Sequence, residues 1–162
     1  MGTTKGFSIF SLEPLRFRVK RVIEGGVKAV QMVNKTNLIL VITTGLDPQY
    51  PSSYLHFWDD LKLRFVGRIN QFDSDPISIS HAENIITVAA QNKVCCLKMG
   101  QLETFQTIST SQALANSTES NVVKGLHSLS QGKKFAVATC SDTIGGIQIH
   151  WFTNNSGGAT KD

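Results

Sequence analysis

The stretch YLHFWDDLKLRFVGRI, residues 54 to 69, holds two runs of alternating apolar residues on either side of Trp58, Asp59 and Asp60. Alternation of this kind predicts two β-strands. Aspartates at tight turns accept backbone N–H bonds, so Asp59 and Asp60 are predicted to close a structural WD turn between the strands. A catalytic or metal-binding pair is the alternative, but it needs a nearby base, nucleophile or further ligands, and none stands at a suitable spacing.

Short strands of the same kind run through most of the chain, and no stretch of 12 residues shows convincing helical periodicity. The predicted strands are GFSIFSL (6–12), VKAVQMV (27–33), NLILVITT (37–44), YLHFWD (54–59), LRFVGRI (63–69), PISIS (76–80), NIITVAA (84–90), KVCCLKM (93–99), ETFQTI (103–108), VKGLHSL (123–129), KFAVATC (134–140) and GIQIHWF (146–152). The sequence therefore predicts an all-β fold.

These strands recur in groups of four at intervals of about 47 residues, which is the spacing between the matching residues Asn37 and Asn84. A four-stranded repeat of roughly 40 to 45 residues is the signature of a WD-repeat β-propeller blade. Trp58 and Asp59 fall at the end of a third strand, where the WD dipeptide of such repeats lies. Since 162 residues supply fewer than four such blades and a closed propeller needs 4 to 8, we expect a segment of a larger propeller.

The composition is that of a soluble globular domain, with 41% hydrophobic and 17% charged residues. A net charge of +4 and a pI near 9.1 give a mild bias toward anionic partners. No apolar run approaches the roughly 18 residues of a membrane span, and MGTTKGFSIF lacks the apolar core of a signal peptide. We therefore expect a cytosolic or nuclear protein.

The segment RFRVKR, residues 16 to 21, is the densest cluster of cations. Its four basic residues are predicted to lie on one alternating face of a strand, opposite Phe17 and Val19. That face could meet acidic lipid or RNA. A solvated outer strand, whose apolar side chains pack inward, is the interpretation we favour.

The histidines and cysteines give no sign of a metal or catalytic site. His56, His81, His127 and His150 lie on different predicted strands and loops, with no Cys or Asp at zinc spacing. Cys95 and Cys96 are adjacent in one strand and point to opposite faces, so they cannot chelate one metal in normal geometry. We therefore expect a protein that is not an enzyme and needs no cofactor.

Several stretches together resemble one family, the PROPPINs, which are seven-bladed WD-repeat propellers. The matching stretches are GTTKGFSIFSLEPL (2–15), EGGVKAVQMVNKTNLILVITTG (24–45), DPQYP (47–51), FWDDLKLRFVGRI (57–69) and NIITVAAQNKV (84–94). The resemblance implies a partial propeller over residues 2–152, about three to four of seven four-stranded blades. Residues 2–20 would end blade one, 24–70 form blade two, 76–109 form blade three and 122–152 begin blade four, with a disordered tail at 153–162.

The same resemblance implies a non-enzymatic scaffold of autophagy. PROPPINs bind phosphatidylinositol 3-phosphate and 3,5-bisphosphate through an Arg-Arg motif and recruit autophagy proteins to membranes. No Arg-Arg pair occurs in this sequence, so lipid-binding residues cannot be assigned to any position in it. Phosphoinositide membranes would be partners of the full-length protein, which would be cytosolic and peripheral on the phagophore assembly site, autophagic or endosomal membranes.

A protein-binding loop can be placed in this chain. In the family, the blade-two loop before the third strand helps bind the autophagic lipid-transfer protein, and it corresponds to LDPQYPSSY, residues 46 to 54. The candidate partner-binding residues are Pro48, Tyr50, Pro51 and Ser52. No nucleic acid partner is expected. The alternative function is a WD-repeat scaffold for protein–protein interaction that binds no lipid.

Overall fold

The computed structural model describes residues 1–90, 93–109, 127–131, 134–140 and 147–153, and all regular structure in these ranges is β-strand. The strands form antiparallel sheets within two compact units, Met1–Pro76 and Ile77–Asp162. The predicted all-β fold is confirmed.

The first unit contains two sheets. Sheet I has the order β1-β2-β3 and sheet II the order β4-β5-β6-β7. Their strands are β1 (Gly2–Thr3), β2 (Gly6–Leu12), β3 (Leu15–Val22), β4 (Val27–Met32), β5 (Leu38–Thr43), β6 (Leu55–Asp59) and β7 (Arg64–Ile69). Sheet II is a four-stranded antiparallel meander, the unit from which propeller blades are built.

The second unit also contains two sheets. Sheet III has the order β8-β9-β10-β11, and sheet IV has the order β12-β13-β14 within the described residues. The strands are β8 (Ser78–Ala82), β9 (Ile85–Ala89), β10 (Lys93–Lys98), β11 (Thr104–Ser109), β12 (His127–Gln131), β13 (Lys134–Cys140) and β14 (Ile147–Thr153). The strand order of sheet III repeats that of sheet II.

Each unit has its own apolar core. In the first unit, Phe7 of sheet I packs with Ile39, Val41 and Trp58 of sheet II. In the second unit, Val94 and Ile108 of sheet III pack with Phe135 of sheet IV. The inner strands β5 and β9 are buried along nearly their whole length, which explains why their sequences are unbroken apolar runs.

The predicted strands agree with the observed ones to within two residues wherever the chain is described. For VKGLHSL, residues 123–126 lie outside the described residues, and β12 begins at His127. Thr153 pairs with Lys134 as the last residue of β14, so the predicted tail cannot begin before residue 154; residues 154–162 lie outside the description. The sequence patterns missed β1, whose two residues are too short to show a period.

The basic strand differs from expectation. Arg21 does not share a face with Lys20, because Arg21 pairs with Phe7 and reaches Asp60 of sheet II, whereas Lys20 pairs with Ser8. Phe17, predicted to pack inward, is 59% exposed. The prediction failed for Arg21 because adjacent residues of a strand point to opposite faces, so Lys20 and Arg21 cannot lie on one face. Phe17 pairs with Phe10, which neighbours the inward-packing Ile9, and therefore lies on the face turned away from the core.

Candidate functional site: an aromatic cleft in the first unit

An open cleft of about 290 Å³ lies between sheet I, sheet II and the loop of residues 46–54. It is lined by Val22, Ile23, Glu24, Asp47, Gln49, Tyr50, Trp58, Leu63, Arg64 and Phe65. We call it the Tyr50–Trp58 cleft, because it brings one residue of the predicted partner loop together with one residue of the predicted WD turn. These two residues come from separate sequence patterns that gave no reason to expect them at one site.

The floor of the cleft is aromatic. Trp58 is only 7% exposed and meets Phe7 and Phe65 edge-on, with ring centroids 6.0 and 5.2 Å apart. Tyr50 lies against Phe65 at 4.6 Å. Edge-to-face and tilted contacts are the favoured arrangements of aromatic pairs. The floor is therefore a packed apolar surface.

The side chain of Asp60 ties the floor to sheet I. Arg21 donates from Nε and Nη2 to the two carboxylate oxygens of Asp60 at 2.7 and 2.9 Å, and Trp58 Nε1 donates to Oδ1 at 3.1 Å. The Arg21 hydrogen bonds hold the pKa of Asp60 below its usual value; partial burial opposes this, and the Trp58 N–H and the Arg21 charge add to it. The network fixes the orientation of the Trp58 ring.

The neighbouring carboxylate closes the turn between β6 and β7. Asp59 Oδ1 accepts the backbone N–H groups of Leu61 and Lys62 at 3.0 and 3.1 Å and the side-chain amide of Asn37 at 2.6 Å. These hydrogen bonds lower the pKa of Asp59, and the bond from the backbone N–H of Lys62 has the largest effect. Both aspartates are thus engaged in hydrogen bonds of the kind a structural turn uses. Among the described residues no group of three or more His, Cys, Asp or Glu side chains could hold a metal ion.

The loop of residues 46–54, which the sequence predicts to bind a partner, is held in place by hydrogen bonds. Thr43 Oγ1 donates to the carbonyl of Tyr50 at 2.7 Å, and the Tyr50 N–H donates to the carbonyl of Asp47 at 3.0 Å. Ser52 Oγ donates to Asp75 Oδ2 at 2.5 Å. Of the four predicted loop residues, only Tyr50 lines the cleft; Pro48 is exposed outside it, and Pro51 and Ser52 anchor the loop.

His56 supports the loop from below. It is almost fully buried, its ring lies among Tyr50, Tyr54 and Phe65, and its Nε2 lies 3.1 Å from the carbonyl of Pro51. Burial lowers the pKa of His56; the Pro51 contact opposes this, and the charge of Arg68 adds to it. The buried imidazole is therefore neutral near pH 7 and can donate to Pro51.

We expect the stability of the protein to fall on acidification because of this histidine. With a folded-state pKa below 6.5, His56 takes up a proton in the unfolded chain first, so its favourable contribution is complete above pH 6.5 and decreases below it. Urea midpoints measured between pH 7.5 and 5.0 will show this slope. His56→Gln, which keeps a donor for Pro51, will flatten it. Equal slopes for wild type and His56→Gln would contradict the assignment.

The Arg21–Asp60 pair gives a second expectation. Both side chains are about a quarter exposed, and the contact is bidentate, so Arg21→Gln will destabilise the first unit by about 1–2 kcal/mol. The contribution is present above the ordinary aspartate pKa and disappears as pH falls through the lowered pKa of Asp60. The control is Arg18→Gln, at an exposed site on the same strand. Equal effects of the two variants in urea denaturation would refute a special role for Arg21.

The remaining candidate residues of the sequence lie apart from the cleft. Cys95 and Cys96 are both buried in β10 of the second unit, where burial, followed by the neighbouring Cys95, raises the pKa of the Cys96 thiol to about 12. His81 lies on β8, and its Nε2 is buried without a hydrogen-bond partner. In the described ranges, no helix is long and apolar enough to cross a membrane.

Comparison with known proteins finds relatives of one kind. No family model matches the chain. SVP1-like protein 2 of Pichia angusta is 31% identical over 91 residues, which cover 55% of this chain and 25% of that protein. SVP1-like protein 2 of Debaryomyces hansenii is 25% identical over 176 residues, which cover 92% of this chain and 40% of that protein. The chain therefore spans about a quarter to two-fifths of the length of these relatives.

Solved structures of similar proteins support the same fold. Hsv2 of Kluyveromyces marxianus superposes with a TM-score of 0.63 at 18% identity, covering 91% of this chain and 40% of that one. KlAtg21, solved in complex with the coiled-coil of AgAtg16, has a TM-score of 0.63 at 14% identity. The superposition covers 98% of this chain and 49% of that one. Together with the four-stranded antiparallel sheets, these similarities identify a partial β-propeller with a PROPPIN-like fold.

Proposed function

We propose that this chain supplies the protein-binding part of a non-enzymatic, PROPPIN-like scaffold of autophagy, and that the Tyr50–Trp58 cleft holds a segment of a partner protein. The observation that carries the proposal is the cleft itself, an open aromatic floor next to a loop fixed by hydrogen bonds. Preformed concave sites lined by aromatic side chains are the usual anchors of protein recognition.

The cleft determines what kind of segment fits. A volume of about 290 Å³ holds one or two large side chains. The floor of Tyr50, Trp58 and Phe65 favours an apolar or aromatic anchor. Glu24 and Asp47 outnumber Arg64 among the charged lining residues, which favours a basic residue beside that anchor. A short extended peptide with a bulky apolar residue next to a cation is therefore the expected ligand.

The similar proteins support an autophagy role at the level of the whole protein. One solved neighbour is a complex of KlAtg21 with an Atg16 coiled-coil, so a protein of this fold assembles with another autophagy protein. We propose that the partners of the present protein include autophagy proteins, among them the lipid-transfer protein implied by the family resemblance. The resulting location is the cytosol and the surface of the phagophore assembly site, autophagic or endosomal membranes.

Recognition of phosphatidylinositol 3-phosphate and 3,5-bisphosphate belongs, in this proposal, to the full-length protein. Arg side chains bind phosphate groups bidentately, and the Arg-Arg motif that serves this purpose in PROPPINs does not occur in the present sequence. The second candidate function is a protein-binding scaffold without lipid recognition. Flotation of the full-length protein on vesicles with and without 3-phosphoinositide separates the two.

The cleft proposal is tested by binding of peptides tiled along the lipid-transfer protein. In a Trp151→Phe background, Trp58 is the single tryptophan, and its emission will change when a peptide occupies the cleft. Tyr50→Ala and Asp47→Lys will each weaken binding at least tenfold, while Lys35→Ala, on the exposed turn after β4, will leave it unchanged. Binding that is equally strong in all three variants would place the partner elsewhere.

A further inference from the structure

Three aromatic rings meet at one corner of the Tyr50–Trp58 cleft. The rings of Trp58 and Phe65 stand at 81° to each other with centroids 5.2 Å apart, and Tyr50 lies 4.6 Å from Phe65 at an angle of 48°. Tyr50 and Phe65 are half-buried, so part of each ring remains accessible. Rings tilted in this way enclose a small concave space, whereas stacked rings would offer a flat surface. The corner therefore suits a compact, rounded group.

Two carboxylates line the same cleft. Glu24 follows β3, and Asp47 belongs to the loop of residues 46–54. Gly25 brings these two segments together, because it has φ of 76° and a Cβ added to it would lie 2.6 Å from the backbone nitrogen of Asp47. Thr44 Oγ1 also donates to the carbonyl of Gly25. The close approach of the two segments holds both acidic residues beside the aromatic corner.

The charge of the lining is negative. Neither Glu24 nor Asp47 is in an ion pair within the part of the chain that the structure describes. Asp47 Oδ1 accepts the backbone N–H of Gln49 at 2.9 Å, which is a neutral donor and does not compensate the charge. Arg64 is the one cation among the lining residues, against two carboxylates. The cleft thus combines aromatic walls with an excess of negative charge.

We propose that the group bound in this cleft is a methylated lysine side chain of the partner segment, an inference that rests on the proposed function. A trimethylammonium group is a cation whose surface consists of methyl groups. Aromatic rings and carboxylates both attract it, and it brings no N–H groups that would lose their hydrogen bonds to water on burial. A single group therefore matches both the apolar corner and the negative lining.

Other occupants match only part of the site. A leucine or phenylalanine anchor would gain nothing from Glu24 and Asp47. Unmethylated lysine and arginine keep N–H groups, for which aromatic rings are weak acceptors. The choline headgroup of a lipid carries the same ammonium, but its phosphate would lie close to the two carboxylates, and like charges repel.

The test compares three synthetic peptides that differ only at a central residue flanked by glycine and alanine. That residue is lysine, trimethyllysine or the neutral analogue in which carbon replaces the quaternary nitrogen. Binding to the 162-residue chain is followed by the emission of Trp58 in the Trp151→Phe background. We expect trimethyllysine to bind at least about tenfold more tightly than either of the other two. Equal affinity of the neutral analogue or of lysine would overturn the inference, and so would failure of all three peptides to bind.

Variants of the lining separate the aromatic contribution from the charge. Tyr50→Leu keeps an apolar side chain but removes the ring, so binding of trimethyllysine will fall about tenfold, while the neutral analogue will change little. Asp47→Asn keeps an acceptor for Gln49 and will weaken binding about threefold, whereas Arg64→Gln will strengthen it about twofold. The matched control is Glu103→Gln, which removes an exposed carboxylate of the second unit. Equal effects of Asp47→Asn and Glu103→Gln would contradict a local role of the charge.

Competition distinguishes failure of this inference from failure of the proposed function. If peptides tiled along the lipid-transfer protein bind in the cleft through an unmodified residue and trimethyllysine does not displace them, the partner site stands and the inference is wrong. If trimethyllysine binds and no tiled peptide does, the ammonium site stands and the proposed partner is wrong. Binding to phosphatidylcholine vesicles that is lost in Tyr50→Leu would identify a lipid headgroup as the source of the ammonium and overturn the assignment to a protein side chain.

Discussion

Trp58→Ala will destabilise the first unit by about 3–5 kcal/mol, the range expected when a large buried aromatic side chain is truncated. The ring is 7% exposed, belongs to the cluster that contains Phe7, Ile39 and Val41, and makes edge-on contacts with Phe7 and Phe65. Its removal leaves a cavity between sheets I and II and deprives Asp60 of one hydrogen-bond donor.

Hydrogen exchange will show where the loss occurs. In Trp58→Ala, amides of β5 and β6 will exchange faster, because both strands pack against the lost ring or carry it. Amides of β9 and β10, which belong to the second unit, will change little. Trp58→Phe keeps an aromatic ring but lacks the indole N–H, so its destabilisation will be smaller, about 1–2 kcal/mol.

A Trp58→Ala variant within 1 kcal/mol of the wild type would show that the ring is not a packing element of the core. A rigid aromatic floor could then no longer explain why a partner binds in the cleft. A uniform increase of exchange in both units would show instead that the units unfold together.

The residues around Trp58 show which parts of the fold can be predicted from short stretches of the sequence. The turn at Asp59 depends on backbone groups two and three residues away, so short-range pattern was enough to suggest it. The apolar runs of β5 and β9 likewise indicate strands buried on both faces. The four-strand repeat then predicts the sheets, because each sheet is a meander of consecutive strands.

The cleft could not be predicted in the same way, because its parts are distant in sequence. Arg21 and Asp60 are 39 residues apart, and their contact depends on how sheet I packs on sheet II. The sequence prediction placed Arg21 with the exposed cations, but adjacent strand residues point to opposite faces, and Arg21 follows Lys20 directly. An aromatic residue in the loop, Tyr50, was the available signal, and only packing shows that its ring meets Phe65.

Gly6→Ala will destabilise the first unit by at least about 3 kcal/mol. Gly6 has φ of 121°, a region that residues with a side chain rarely adopt. An added Cβ would overlap the carbonyl oxygen of Arg21 and lie 2.8 Å from the backbone nitrogen of Ile23. Because these are backbone atoms of the adjoining strand and its end, the clash cannot be relieved by a change of rotamer, and β3 must move away from β2.

A displacement of β3 would also change the candidate site. Val22 and Ile23 form one wall of the Tyr50–Trp58 cleft, and Arg21 holds Asp60, so displacement of β3 will also weaken binding of a cleft peptide. The matched control is Gly67→Ala in β7, where a Cβ would meet only Phe57 Cδ2 at an ordinary 3.9 Å. Gly67→Ala will be neutral or stabilising by up to about 1 kcal/mol, since it restricts the unfolded chain without strain. Urea denaturation of both variants tests this difference in stability. Equal stabilities would mean that β2 and β3 can separate at Gly6 without a loss of free energy. The wall of the cleft would then not be fixed by the pairing of these two strands.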